Sequence, residues 1–349
     1  MKLRLSLIVL ALALCVVPAV ATRGWAQDKP QEKPKEAAPK EAAKDQPKLS
    51  EEESKHLDKM NKAATLAEKT KLGIEFIKKF KKNTAYRGKI ASYLSGQIFS
   101  EKDPAAKVQA AQQFVGAFDQ PGEADAVTPA LIDGYVTTGK FDEAFGEGAK
   151  YMAAHPEDVF VAVSLGVNGA TQVQKQGATW KHAKATDENL TRATEMLEQD
   201  KKPEKTDKEF WTNYRNAWLP KVYQAQGALF YTAKDTVKAR ESLEKAFGFD
   251  PNDVFTLNYL IGVTIDEYQV LAQRYQTEKK SDLYDKAVVK MDEAIDYLAR
   301  AVAITDGKTE PQTVAANTQF KDQLKQYFDF RNPGKSAEMN ALVEKYKKK

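Results

Sequence analysis

Cysteine is nearly missing from this chain. The single one, Cys15, lies in an apolar N-terminal run, so the chain after residue 26 offers no disulfide, no thiolate nucleophile and no cysteine-ligated metal. Histidine is scarce as well. His56, His155 and His182 are far apart, and none is followed by a second histidine or cysteine at helical spacing, so each reads as a surface residue. There is no Gly-rich phosphate loop and no nucleophile elbow. Glycine and proline are sparse, at 18 and 14 of 349 residues, and apolar runs of period two are few. That combination disfavours sheet and favours helix. No catalytic residue, metal ligand or cofactor-binding residue is expected, no cofactor is implied, and the chain does not read as an enzyme.

An excess of one charge is also missing. The formal net charge is +4, but the first 26 residues carry Lys2, Arg4 and Arg23 with no acid; removing those three from the 53 basic residues leaves 50 against 49 acids. A near-neutral chain implies no nucleic-acid partner. Acid clusters such as Glu51 to Glu53 and Asp292-Glu293 read as solvated helix faces.

What is present begins with a leader. Lys2 and Arg4 precede an apolar run from Leu5 to Val17, too short to span a membrane, and Ala19-Val20-Ala21 or Trp25-Ala26 fits small-residue cleavage. Residues 1–26 are therefore expected to be a signal peptide of 21 or 26 residues. The expected product is exported, periplasmic or cell-envelope associated, with no membrane span after cleavage. A retained anchor is the alternative, and a lipoprotein reading at Cys15 is weaker because Leu14 is bulky. Residues 27–49 alternate lysine, acid, alanine and proline without large apolar side chains, which predicts a disordered linker.

The folded part is expected over residues 50–349. Ser50 and Glu53 form a capping box that starts a helix, with a break expected near Gly73. A loose hairpin follows, from Tyr86 to Phe99 and from Pro104 to Phe118. The clearest pattern is the stretch 220–253. Val222, Tyr223, Gln226-Gly227 and Phe230 recur at helical spacing, Ala233-Lys234-Asp235 makes a turn, and Val237, Ala239, Leu243 and Ala246 form a second face that stops at Asp250-Pro251. Gly227 and Ala239 lie where two antiparallel helices would approach closely. A second copy spans 125–158, with Tyr135, Gly139, Phe141, Ala144 and Pro156 in matching order. Ile132 and Tyr151 fall where small residues are wanted, so packing there must differ.

Two longer, divergent units follow the same register. Residues 159–200 carry Leu165-Gly166, then Ala193 and Leu197 on a helix from Asp187. Residues 254–306 carry Leu257, Leu260 and a late Gly262 on a helix reaching about Thr277. Their second helix, from about Ser281 to Ile304, carries Ala294, Leu298 and Ala301. Between them, Phe210, Trp211, Tyr214 and Trp218 form a stripe best read as core. A helix over Gln312 to Phe328 and a last one capped by Ser336, with Met339, Leu342, Val343 and Tyr346, close the chain.

This 34-residue order of large, small and proline positions resembles the tetratricopeptide repeat. Tyr223, Gln226-Gly227 and Phe230 stand in its first-helix slots, and Ala239, Leu243, Ala246 and Pro251 in its second-helix and closing slots. Gln226 and the lack of a turn glycine depart from the pattern. The resemblance implies an all-α fold: a right-handed α-solenoid of helix-turn-helix hairpins, with two lengthened repeats and a C-terminal capping helix. It also implies a concave groove lined by first helices. Mapped onto this chain, the groove would hold Asp133, Val136, Val163, Val167, Lys221, Gln224, Ala228, Tyr231, Phe255 and Asn258. The lining is mostly apolar and neutral, which fits an extended or helical peptide with apolar anchors. The function implied is an exported scaffold or adaptor binding a protein or peptide partner. The alternative is an architectural subunit that makes its contacts through the convex face and projecting helices.

Overall fold

The computed structural model of the protein describes residues 49–347. The expected leader and, apart from Leu49, the expected linker lie outside the described residues. Among the described residues the chain is all helix, with no strand. It divides into two compact units, one ending at Leu165 and the other beginning at Gly166.

The first unit holds α1 (Glu51–Lys62), α2 (Leu66–Lys79), α3 (Thr84–Ser100), α4 (Pro104–Val115), α5 (Thr128–Thr137), α6 (Phe141–Ala154) and the start of α7 (Val159–Gln176). The capping box at Ser50 forms: the Glu53 amide donates to Ser50 Oγ and the Ser50 amide donates to the Glu53 carboxylate. The break expected near Gly73 falls instead at residues 63–65, where Thr65 caps α2. Gly73 is buried in mid-helix, because a Cβ there would stand 2.7 Å from Leu94 Cδ1. A small residue marks a close helix contact as readily as a break, and spacing alone does not separate the two.

Phe76, Leu94, Ile98, Phe114, Phe118 and Ile132 fill the interior of this unit, with Phe114 and Phe118 stacked at 4.2 Å. In the 125–158 hairpin, Gly139 makes the turn at φ +75. Ile132 is buried at a position where a small residue was expected, and the close approach is made two residues later, by Gly134 against Val108 of α4. Tyr151, half-buried, donates its hydroxyl to Asp158 at 2.8 Å and packs its ring on His155 at 4.5 Å.

The second unit continues α7 and adds α8 (Ala183–Glu198), α9 (Lys208–Thr232), α10 (Thr236–Phe249), α11 (Val254–Glu278), α12 (Ser281–Thr305), α13 (Pro311–Arg331) and α14 (Ser336–Lys347). Two small-to-large contacts recur within its hairpins. A Cβ at Gly166 would stand 2.9 Å from Leu190 Cδ2, and one at Gly227 would stand 2.5 Å from Leu243 Cγ. Ala193, Leu197, Ala239, Leu243 and Ala246 are buried as their spacing predicts, whereas Val237 is 66% exposed and belongs to the outer face of α10.

Pro220 does not begin a helix. It sits inside the 25-residue α9, which joins the aromatic stripe to the first helix of the 220–253 unit. A proline removes one i→i−4 bond, here from the carbonyl of Asn216, an exposed residue whose carbonyl water can serve. The lengthened pair α11 and α12 forms as expected, turning at Lys279 with φ +55. Ser336 is the first residue of α14 rather than its cap.

Candidate partner-binding surface

The residues expected to line a groove divide between the two units. In the first unit, Val136 and Val163 are buried, at 8% and 1% exposure, and offer no surface to a partner. Asp133 is half-buried and ion-paired with Lys107 at 3.4 Å. In the second unit, Ala228 is fully buried and so is likewise excluded from contact with a partner. Val167, Gln224, Tyr231, Phe255 and Asn258 are half-buried, and Lys221 is exposed.

Helix α9 touches α11, the first helix of the next hairpin, as well as its own partner α10. Two side chains make that junction. The Gln224 amide donates to Asp253 Oδ1 at 2.9 Å and to Thr256 Oγ1 at 3.0 Å. Asp253 is the N-cap of α11 and also accepts the Thr256 amide, so Gln224 reinforces a cap on the neighbouring hairpin. Tyr231 lies over Gly262, edge-on to Tyr259 at 5.7 Å, with its hydroxyl bonded to Asp266. Burial first, and then the Asp266 carboxylate, push its phenol well above the ordinary range. Tyr231 therefore covers the lengthened part of α11, and its polar tip is already engaged.

Of the expected groove residues on α9 and α11, Lys221 is exposed and Phe255 and Asn258 keep part of their surface accessible without bridging the junction. The Lys221 ammonium sits 4.9 Å from the Trp218 ring centroid, and Phe255 packs on Tyr259 at 4.9 Å. The aromatic stripe on α9 is only partly core. Trp211 is buried and donates its indole N–H to Asp200 at 2.6 Å, whereas Phe210 is 46% exposed.

A charge network missed by spacing holds the root of the long hairpin. Arg240 of α10 uses all five N–H donors. Nε and Nη2 take both oxygens of Glu267 at 2.8 Å, Nη1 takes Glu293 at 2.7 Å and Glu244 at 3.0 Å, and Nη2 takes Thr264 Oγ1 at 2.8 Å. Lys290 bridges Glu267 and Glu293, at 2.9 Å to each. Glu293 is thus no solvated acid. Burial works against its charge, but Lys290 and Arg240 outweigh that and hold its carboxyl below the usual range. Asp292 pairs with Arg331 at 2.8 Å. The acid run at the start of α1 is by contrast the solvated face expected of it: Glu51 pairs with Lys55 and Glu52 with Lys79 through exposed side chains, while Glu53 serves the cap and meets Asn83.

Farther out on the hairpin, Val270, Tyr284 and Val289 are exposed beside a depression of about 330 Å³ lined by Leu271, Asp285, Lys286, Val289 and Lys290. The histidines are half-buried rather than free on the surface. His56 meets the Leu72 carbonyl at 2.9 Å, His155 faces Asp125 at 3.3 Å, and His182 packs edge-on to Trp180. Among the described residues no group of three or more histidines, cysteines or carboxylates could hold a metal ion, and no helix is long and apolar enough to cross a membrane.

Comparison with protein-family models, with curated proteins and with solved structures finds no match for this chain.

Proposed function

We propose that this chain is an exported scaffold or adaptor of the bacterial cell envelope, built from tetratricopeptide-like hairpins, that binds a partner protein or peptide. The observation that supports it most is the junction of α9 with α11. First helix meets first helix across consecutive hairpins, which is how stacked repeats generate one continuous binding face. Lys221 of α9 and Phe255 and Asn258 of α11 retain accessible surface: a cation, an aromatic ring and an amide. Such a mix suits an extended or helical peptide: an apolar anchor on the ring and backbone hydrogen bonds to the amide.

The architectural reading has its own observation in favour, the exposed Val270, Tyr284 and Val289 on the long hairpin. A pulldown from envelope extract separates the two. Under the proposal, Lys221→Glu with Phe255→Ala abolishes capture while Val270→Glu with Val289→Glu leaves it intact. The reverse pattern assigns the contact to the hairpin. Export is tested by N-terminal sequencing, with a start near Thr22 or Gln27 expected and an intact Met1 in the cytoplasm opposing it.

A further inference from the structure

Helix α14 is held differently from every other described helix: it alone contributes no buried residue. It packs chiefly on α12 and only slightly on α13, the helix that precedes it. Its face of Met339, Leu342, Val343 and Tyr346 is half-buried on the cluster that includes Ile295, Ala299 and Val302. The rest of its attachment is polar and lies at its C-terminal end. The Tyr346 hydroxyl donates to Asp296, and Lys347 pairs with Asp306 at 2.7 Å. The Arg300 guanidinium lies between the rings of Tyr346 and Phe247, at 4.6 and 5.2 Å. A four-residue turn, 332–335, with Gly334 at φ +80, is the only covalent tether on its N-terminal side.

We propose that the face of α12 beneath α14 is a helix-docking groove for a partner protein, and that α14 is its resident, detachable occupant. The fit of an amphipathic helix is shown by α14 itself: apolar residues at i, i+3, i+4 and i+7 fill the floor, and basic residues at the C-terminal end meet Asp296 and Asp306. The partner segment is therefore an amphipathic helix with the same apolar spacing and lysine or arginine in its last turn. The resident helix also leaves something unsatisfied. Arg300 Nε is buried without an acceptor, its Nη1 reaching only the Pro251 carbonyl at 3.3 Å. A partner helix that supplies a carbonyl or carboxylate there has an advantage the resident lacks. This groove is separate from the α9–α11 face and does not depend on it.

The test uses the mature chain, a version ending at Asn332, and a labelled synthetic peptide of residues 335–349. The peptide is expected to bind the shortened chain saturably at one site. The intact chain should bind it at least tenfold more weakly, because the tethered α14 competes at a millimolar effective concentration. A Leu342→Asp peptide is expected not to bind. In the intact chain, amide exchange across 338–347 is expected to run at least tenfold faster than across 295–302, which reports local detachment. The proposal is overturned if the shortened chain does not fold, if it folds and does not bind, if both peptides bind alike, or if α14 exchanges only with global unfolding. A dimer of the intact chain that vanishes on shortening would give the groove to a second copy and overturn the partner-helix assignment.

Discussion

The hydroxyl of Tyr231 lies so close over Gly262 that a Cβ there would stand 2.9 Å from it and 3.2 Å from Cζ. One hairpin thus presses its aromatic ring onto the backbone of the next. Gly262→Ala is expected to cost about 1 kcal/mol, and Tyr231→Phe, which removes the nearest atom, should reduce that cost. A thermal double-mutant cycle reads the coupling. Additive effects would mean the two residues do not touch.

Helix α6 offers a contrast within one turn. A Cβ at Gly146 meets nothing within 4 Å, whereas one at Gly148 would stand 2.5 Å from Leu165 Cδ1. Gly146→Ala should therefore stabilise by about 0.5–1 kcal/mol through helix propensity, and Gly148→Ala should destabilise by about 1–3 kcal/mol through overpacking. Denaturant midpoints of the two variants are expected to move in opposite directions.

At the turn of the 220–253 hairpin, Lys234 adopts φ +65, where the 125–158 hairpin has Gly139 at φ +75. The turn geometry is shared and only the residue differs. Lys234→Gly should relieve left-handed strain and stabilise by roughly 0.5–1 kcal/mol. A lower melting temperature would show that the lysine side chain contributes more than the strain costs.

Ala239 is fully buried against the same hairpin. Ala239→Asp places an unpaired carboxylate there, at a cost of several kcal/mol, on the order of the whole stability margin. Arg240→Ala, which leaves Glu267 and Glu293 to share Lys290 alone, should cost about 1–3 kcal/mol. Loss of cooperative melting is the expected readout for the first substitution and a lowered midpoint for the second.

Much of this was legible from residue type and spacing. The capping box at Ser50, the turn at Gly139, the buried Ala239, Leu243 and Ala246, and both ends of the long hairpin follow from local rules that act within a few residues. What escaped depends on contacts between distant segments. Gly73 looked like a break because its partner, Leu94, is 21 positions away. The network of Arg240, Glu267, Lys290 and Glu293 spans 53 positions, and each member alone resembles an ordinary surface charge. Of the candidate groove, the burial of Val136, Val163 and Ala228 was not readable, because packing between helices decides it.

Acid should loosen the C-terminal helix. Lys321 and Lys347 hold the Asp306 carboxyl at about 2, below its ordinary 3.8. A depressed carboxylate stabilises the fold above its ordinary value, and that contribution is lost as pH falls through about 2. The group is a third exposed, so screening keeps the effect under about 1 kcal/mol. Asp306→Asn should lower the melting temperature at pH 5, and the gap should shrink steadily as pH falls through about 2. A gap as large at pH 2 as at pH 5 would assign the effect to something other than the charge.

Site-specific photocrosslinking in living cells tests the scaffold reading most directly. A photoreactive residue is placed in turn at Lys221, Phe255 and Asn258 on the α9–α11 face, and at Val270 and Val289 on the long hairpin. The account predicts a discrete protein adduct from the first three positions and none from the last two. Adducts confined to Val270 and Val289, or no adduct from any position, would contradict it.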